Sequence, residues 1–485
     1  CLCNASGVTR DGPIEAVLTE DTAGRFAAYG WDVQMLDGHD FDAIDAALRN
    51  ARQARGKPQL LICQTHLAYG SPNKQDSPLA DGQPLGAEEV RVTRLNLGWS
   101  NEAAFEIPEE IVAHYHVATP QGEQREARWR ELLTGYAKDY PAETQKLQRY
   151  LSGELSPDLE RAVPRFSPDA GPLAPRTALH RVVGALAPYL PELLGGAAEQ
   201  TSENPAALEK PPVFQKATPE GSYLRFGARE HAMGGILNGI ALYGGLRVYG
   251  ATRLIRYDYL RPALRLAVQM RLPIITVFTH DSVFDSPEGP ALAPVEQLLS
   301  LRALRGMTVL RPADANETAA AWLIALQQQQ PVALLLSQQS LPIIPETQTL
   351  AQEGVAHGAY ILREAPRERI DLLLIASGSE VTLALEAQRL LAERRISARA
   401  VSMPSWELFE TQSLFYQLNV FPPSVVKRLA IEAGTSFGWG RYVGPQGAVM
   451  SIQRFGASAP ASVLREHFGF TADRIIERAI RLIAE

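Results

Sequence analysis

A chain of 485 residues has room for roughly three domains of ~100–200 residues each. With 46% hydrophobic and 21% charged residues it has the composition of a globular protein, which excludes the disordered and fibrous classes. A net charge of −7, with no basic run, argues against nucleic acid or a membrane surface as partner. Three cysteines, Cys1, Cys3 and Cys63, form no CxxC pair, and Cys63 lies in the apolar run QLLICQT, so they read as reduced structural thiols of a cytoplasmic protein. No stretch approaches a membrane span, and no signal peptide is visible. The opening CLCN reads as the tail of a strand already in progress.

In chain order, Thr22 to Tyr29 predicts a helix, Trp31 to Leu36 a strand, Asp42 to Arg55 a helix with Ile44, Ala47 and Leu48 on one face, and Leu60 to Cys63 a buried strand. That alternation predicts a parallel, doubly wound sheet. Ser77 to Pro84 is a loop, and Phe105 to His114 leads into another helix. The proline-dense stretch 151–175 reads as a linker between a first domain, 1–150, and a second, 176–350. In the second, Thr177 to Leu194 and Glu317 to Leu326 predict helices, and Ile274 to Phe278 and Val332 to Leu336 strands. A third unit, 351–485, has strands at Leu372 to Ala376 and Leu429 to Ile431. A helix between them sets Val381, Ala384, Ala387 and Leu391 on one face. The expected class is therefore α/β, with three doubly wound parallel-sheet units.

The block FGAREHAMGG, Phe226 to Gly235, centres on Glu230 and precedes an apolar run containing Ile236, Leu237, Ile240 and Leu242. A Gly-Ala-Arg-Glu turn opening a helix can aim a side chain out of a sheet into a cleft. Walled by apolar neighbours, that carboxyl would resist ionisation and could share a proton with a ring nitrogen. Equally, it is an ordinary N-terminal helix carboxylate held by the helix dipole. Spacing alone leaves both readings open.

The block resembles the glutamate motif of transketolases, which use thiamine diphosphate. GWDVQMLDGHDFDAIDAAL (Gly30 to Leu48), YGSPNK (Tyr69 to Lys74), THDS (Thr279 to Ser282), LRPADANE (Leu310 to Glu317), IASGSEV (Ile375 to Val381), VSMPS (Val401 to Ser405) and FGASAP (Phe455 to Pro460) carry the resemblance along nearly the whole chain. It implies a diphosphate-binding domain continued from upstream of residue 1, a pyrimidine-binding domain and a transketolase C-terminal domain without catalytic groups. It also implies thiamine diphosphate and Mg as cofactors, a homodimer with the site between subunits, and Glu230 as the group that activates the cofactor. Apolar residues from Gly234 to Ile240 would serve the dimer interface.

Against that pattern the chemical positions change. No GDG occurs, and of the expected metal-ligand positions Ser6 stands for an asparagine, with Asn4 nearby, while Val8 would offer a carbonyl. In GATRLIRYDYL, Arg253 and Arg256 replace aromatic residues expected against the cofactor ring, and Tyr259 matches a family tyrosine. Two arginines there are expected to pair with Glu230 and fill the slot. Asp81 and Leu292 stand where proton-carrying histidines are expected, and leucine transfers no proton. His280 is retained and Glu288 replaces a substrate-contacting aspartate. Arg176 matches a phosphate-binding arginine, whereas Glu203 replaces a serine, Gln338 an arginine and Glu199 a cofactor-contacting aspartate. The resulting expectation is a transketolase-like protein, catalytically impaired as it stands, with a structural, regulatory or partner-binding role as a homodimer or as a heterodimer with an active relative. One alternative is an active enzyme moving a two-carbon ketol unit between sugar phosphates once an N-terminal part is supplied. The other is an enzyme whose extra arginines take a different anion.

Overall fold

The structure is a computed structural model that describes residues 1–53, 56–99, 103, 105–198 and 213–485. It divides into two compact units, Cys1–Arg130 and Glu131–Glu485.

The first unit contains strands β1 (Leu2–Ala5), β2 (Val8–Thr9), β3 (Gly12–Pro13), β4 (Asp32–Asp37) and β5 (Gln59–Gln64). β1, β5 and β4 form a parallel sheet in that spatial order, and β2 and β3 a short antiparallel pair. The helix Thr22–Ala28 is capped by Asp21, whose carboxylate accepts the Gly24 N–H. Phe41–Gln53 follows, with Ala47 buried on its inner face.

The second unit holds two larger sheets. β6 (Leu193–Ala197), β7 (Tyr223–Arg225), β8 (Arg247–Arg253), β9 (Ile274–Thr279), β10 (Thr308–Leu310) and β11 (Val332–Leu336) form an all-parallel sheet ordered β10-β11-β9-β8-β6-β7. Continuous apolar strands such as β9 and β11 are buried throughout, as central parallel strands covered on both faces must be. The helix Ala315–Gln327 shows the same logic. It is apolar nearly all round, and its Trp322 is fully enclosed. β12 (Tyr360–Arg363), β13 (Leu372–Ala376), β14 (Ala398–Ser402), β15 (Arg428–Ile431) and β16 (Ala448–Met450) form the other sheet, ordered β12-β14-β13-β15-β16, in which β12 alone runs antiparallel. Val381, Ala384, Ala387 and Leu391 all face this core, as their spacing predicts.

One element departs from its sequence expectation. The predicted helix Thr177 to Leu194 ends at Leu186 and gives way to a short 3-10 turn, then to β6 from Leu193. Pro188 and Pro191 interrupt the helical hydrogen bonding, and Gly195 and Gly196 lie where only a bare backbone fits. A Cβ on Gly196 would fall 1.7 Å from the Leu224 carbonyl oxygen. The stretch 151–175 contains a short helix, Leu159–Ala162, and a 3-10 turn, Pro168–Ala170.

Candidate active site

Because β6–β11 are parallel, the residues following each strand gather along one edge of the sheet, the usual place for ligands in α/β folds. β7 leads into FGAREHAMGG, β8 ends on Arg253, β9 runs into His280 and β11 into Ser337-Gln338.

Glu230 is the first residue of the helix Glu230–Tyr243. The chain reaches it through Gly227 at φ +68°, with the Arg229 guanidinium donating to the Phe226 carbonyl at 3.1 Å. The helix docks closely. A Cβ on Gly250 would sit 2.7 Å from a Leu237 methyl and 2.9 Å from the Met233 sulfur. Glu230 is consequently buried, 6% exposed, and its carboxylate accepts the Thr252 hydroxyl at 3.3 Å.

The two arginines do not meet Glu230, contrary to the expected pairing; among the described residues Thr252 is the hydrogen-bond partner of that carboxylate. Arg253 turns instead to Glu288, Nη1 to Oε1 3.1 Å, and the Arg256 guanidinium lies 5.9 Å from the Tyr259 ring centre. The reason is register. Thr252 and Arg253 are adjacent on β8, so their side chains leave opposite faces, and the one on the Glu230 side is the threonine. Burial works to raise the Glu288 carboxyl, but its own backbone N–H, the Arg253 guanidinium and the more distant His280 outweigh it and hold it below the usual range.

His280 is buried and held at φ +56°, the left-handed region that non-glycine residues rarely adopt. Its ring contacts the Thr279 hydroxyl at 3.0 Å through Nδ1 and the Gln338 amide nitrogen at 2.6 Å through Nε2. The Gln338 backbone N–H donates to Asp285 at 2.9 Å, so the glutamine is fixed on both sides. Leu173 pairs with Leu341, bringing the stretch before Arg176 alongside Ser337–Pro342. Arg176 sits half-buried in the first turn of Pro175–Leu186 and makes no hydrogen bond or ion pair with a described residue. Leu292 is half-buried in the turn after Gly289. Glu199 and Glu203 lie outside the described residues.

The metal-ligand positions belong to the first unit. The Ser6 hydroxyl donates to the Val8 carbonyl at 3.4 Å, so the two positions engage each other, and the Asn4 amide oxygen accepts the Thr65 hydroxyl. Among the described residues no His, Cys, Asp and Glu side chains cluster in a metal-binding set. Asp81 caps a 3-10 turn, its N–H donating to Pro78. The carboxyl ends of β4 and β5 also carry a group that sequence reasoning missed. His39 stacks on Tyr69 at 3.8 Å, and His66 pairs with Asp76 at 2.8 Å.

A second missed group is a buried ionic seam in the Glu131–Glu485 unit. Arg311, fully enclosed, donates to Asp281 at 2.7 Å, to the Ser377 carbonyl at 3.0 Å and to Glu380. Arg302 grips Glu432 with two bonds of 2.8 and 2.9 Å, and Trp439 donates to the same carboxylate at 2.9 Å. Burial pushes Asp281 up to about 7 against the pull of Arg311, with Asp285 adding to the rise. Glu432 falls to about 2 because Arg302 and Arg311 outweigh its burial. Arg311 lies in LRPADANE and Glu380 in IASGSEV, so both motifs were visible and only their pairing was not.

Comparison with known proteins accounts for this architecture. The profile of the thiamine diphosphate binding domain of transketolase matches residues 1–156, that of the transketolase pyrimidine binding domain 172–343, and that of the transketolase-like C-terminal domain 358–471. The transketolase of Halalkalibacterium halodurans is 43% identical over 484 residues, covering 99% of this chain and 72% of that protein. That of Geobacillus stearothermophilus is 42% identical over 488 residues, covering 100% and 73%. A crystal structure of Pichia stipitis transketolase in complex with sedoheptulose 7-phosphate superposes with a TM-score of 0.93 at 34% identity, covering all of this chain and 71% of that one. Thiamine diphosphate is thus the cofactor expected from its domains, and the chain belongs to the transketolase family.

Proposed function

We propose that this transketolase-like chain does not support ketol transfer as it stands, and that it acts through a structural, regulatory or partner-binding role. The observation that carries this reading is the Arg253–Glu288 ion pair at 3.1 Å, together with Arg256 over Tyr259, where a cofactor ring needs apolar walls. A guanidinium paired with a carboxylate is a hydrated, polar lining and gives a neutral ring little to pack on. In the first unit, Ser6 stands where an asparagine ligand is expected, and its hydroxyl is turned to the Val8 carbonyl at 3.4 Å, which weakens the hold on a divalent cation. Those residues do not fit the cofactor and its metal, so no chemical step is assigned through them. Gln338 occupying the His280 ring, and Leu292 in place of a proton carrier, add to the same reading.

Dimerisation remains part of the proposal. On the helix Glu230–Tyr243, Ile236, Leu242 and Tyr243 are exposed while Met233 and Leu237 are buried, leaving an apolar outer face suited to a second subunit of this chain or of an active relative. No helix among the described residues is long and apolar enough to cross a membrane, and a cytoplasmic location is proposed on the free state of the three cysteines.

A second reading, an active enzyme handling sugar phosphates, is favoured by the buried, Thr252-held Glu230 and by the retained His280. A ketol-transfer assay decides between them, run on the purified chain alone and with the N-terminal segment of an active transketolase added as a separate polypeptide, with a ketose phosphate donor, an aldose phosphate acceptor, thiamine diphosphate and Mg²⁺. The first reading expects no product above the enzyme-free background, and steady turnover overturns it.

A further inference from the structure

The last sheet carries a cavity unrelated to the cleft at Glu230. It has a volume of about 350 Å³ and lies at the carboxyl end of the edge strand β16, against the helix Ala472–Ala484. That volume falls in the range of small-molecule sites, and the carboxyl end of a parallel strand is where α/β folds place ligands.

Three arginines line it. Arg474, Arg478 and Arg481 are spaced i, i+4, i+7 and so share one helix face, while Ile475, Ile476, Ala479 and Leu482 on the other side are buried in the core. One carboxylate, Glu477, answers two of them, at 2.8 Å to Arg474 and 3.8 Å to Arg481. Arg478 forms no hydrogen bond or ion pair with a described residue. The wall therefore carries three positive charges against one negative. Like charges one turn apart oppose each other, and Arg474 in the first turn also opposes the helix dipole. Neither placement helps the helix, and a bound anion would offset both. The floor is apolar, formed by Phe468 and by Phe470, which is locked edge-on against Phe284 at 5.2 Å.

We infer that this cavity binds a phosphorylated small molecule, its phosphate held by the arginine row and its less polar part resting on the two phenylalanines. Guanidinium forks take carboxylates and phosphates alike, but three of them in a row suit the higher charge and three terminal oxygens of a phosphate, which sets this class ahead of carboxylate metabolites. The inference stands apart from the proposed loss of ketol transfer, since none of these residues belongs to that cleft.

The test is calorimetric titration of the full-length protein with ADP, and with pyrophosphate as the charge-only probe. Saturable ADP binding is expected, displaced by pyrophosphate, and weakened by on the order of tenfold in the double variant R474A/R478A. The side chains are exposed, so a thermal midpoint no lower than that of the parent chain is expected to confirm that the variant is folded. Glu477→Gln removes the one opposing carboxylate and is expected to tighten binding by roughly threefold, a change of opposite sign that a damaged fold would not produce. Absence of saturable heat with both probes overturns the inference, as does an affinity that neither substitution moves.

Discussion

Two sets of charges stand at the carboxyl ends of strands in the Glu131–Glu485 unit, and their surroundings treat them in opposite ways. Around Arg311 every neighbour is buried, and the guanidinium reaches Asp281, Ser377 and Glu380 at once. Arg253, among the described residues, pairs with Glu288, whose side chain is 43% exposed. A buried network tolerates no change of partner, because removing one member strands the others without water. A half-exposed pair tolerates many, because solvent replaces whatever is lost. LRPADANE and IASGSEV supply Arg311 and Glu380 to the first kind, whereas Arg253 of GATRLIRYDYL belongs to the second.

The most severe way to break this contrast is Arg311→Met. It leaves Asp281 and Glu380 facing each other in a closed interior, and a loss of about 3–5 kcal/mol is expected in urea unfolding, a large share of a typical domain's stability. A loss near zero would show that the seam relaxes and that its enclosure means little.

Next in size is the pH dependence of the interior. Burial raises Glu317 to about 7, with Asp314 adding to the rise, and Asp281 also stands at about 7. Both are raised above their unfolded values, so between pH ~4 and ~7 the folded protein binds more protons than the unfolded chain. Stability from these groups is therefore fully present at pH ~4 and is lost as pH rises through ~7, by an amount on the order of a few kcal/mol. Glu432, lowered to about 2, acts in the other sense, and its contribution is lost only as pH falls toward 2. The thermal midpoint is expected to fall by several degrees between pH 5.5 and 8, and less so in Glu317→Gln. A midpoint that climbs over that interval contradicts the assignment.

The contrast is sharpened by restoring the expected aromatics. R253F/R256F replaces the two guanidinium groups at the end of β8 with apolar rings, and a gain of roughly tenfold in affinity for thiamine diphosphate is expected from the added ring packing. No gain would place the obstacle elsewhere. Smallest of all is the Arg253–Glu288 pair itself, of which only the glutamate is exposed. A double-mutant cycle on Arg253→Ala and Glu288→Ala is expected to give a coupling below about 1 kcal/mol. A larger value would make this pair a structural element like Arg311.

Much of this was legible in the sequence, and for uneven reasons. Val332–Leu336 and Leu372–Ala376 were found to the residue because continuous apolar runs bounded by polar turns have few other readings. Glu230 opening its helix followed from the Gly-Ala-Arg turn. The strand Leu193–Ala197 was missed because LPELLGGA continues the apolar count of the preceding helix, and only the closeness of Leu224 shows why glycines stand there. Local spacing cannot show that Thr252, and not Arg253, faces Glu230, nor that Arg311 and Glu380, 69 residues apart, share a bond. Such partners are set by strand register and sheet order, which emerge only when the chain is folded.

The central claim, that the cleft has been rewritten away from its family cofactor, is tested most directly by calorimetric titration of the full-length protein with thiamine diphosphate in the presence of Mg²⁺. The account predicts no saturable heat at micromolar to low-millimolar concentrations of the cofactor. A single-site isotherm with micromolar affinity, abolished by Glu230→Ala, would contradict it.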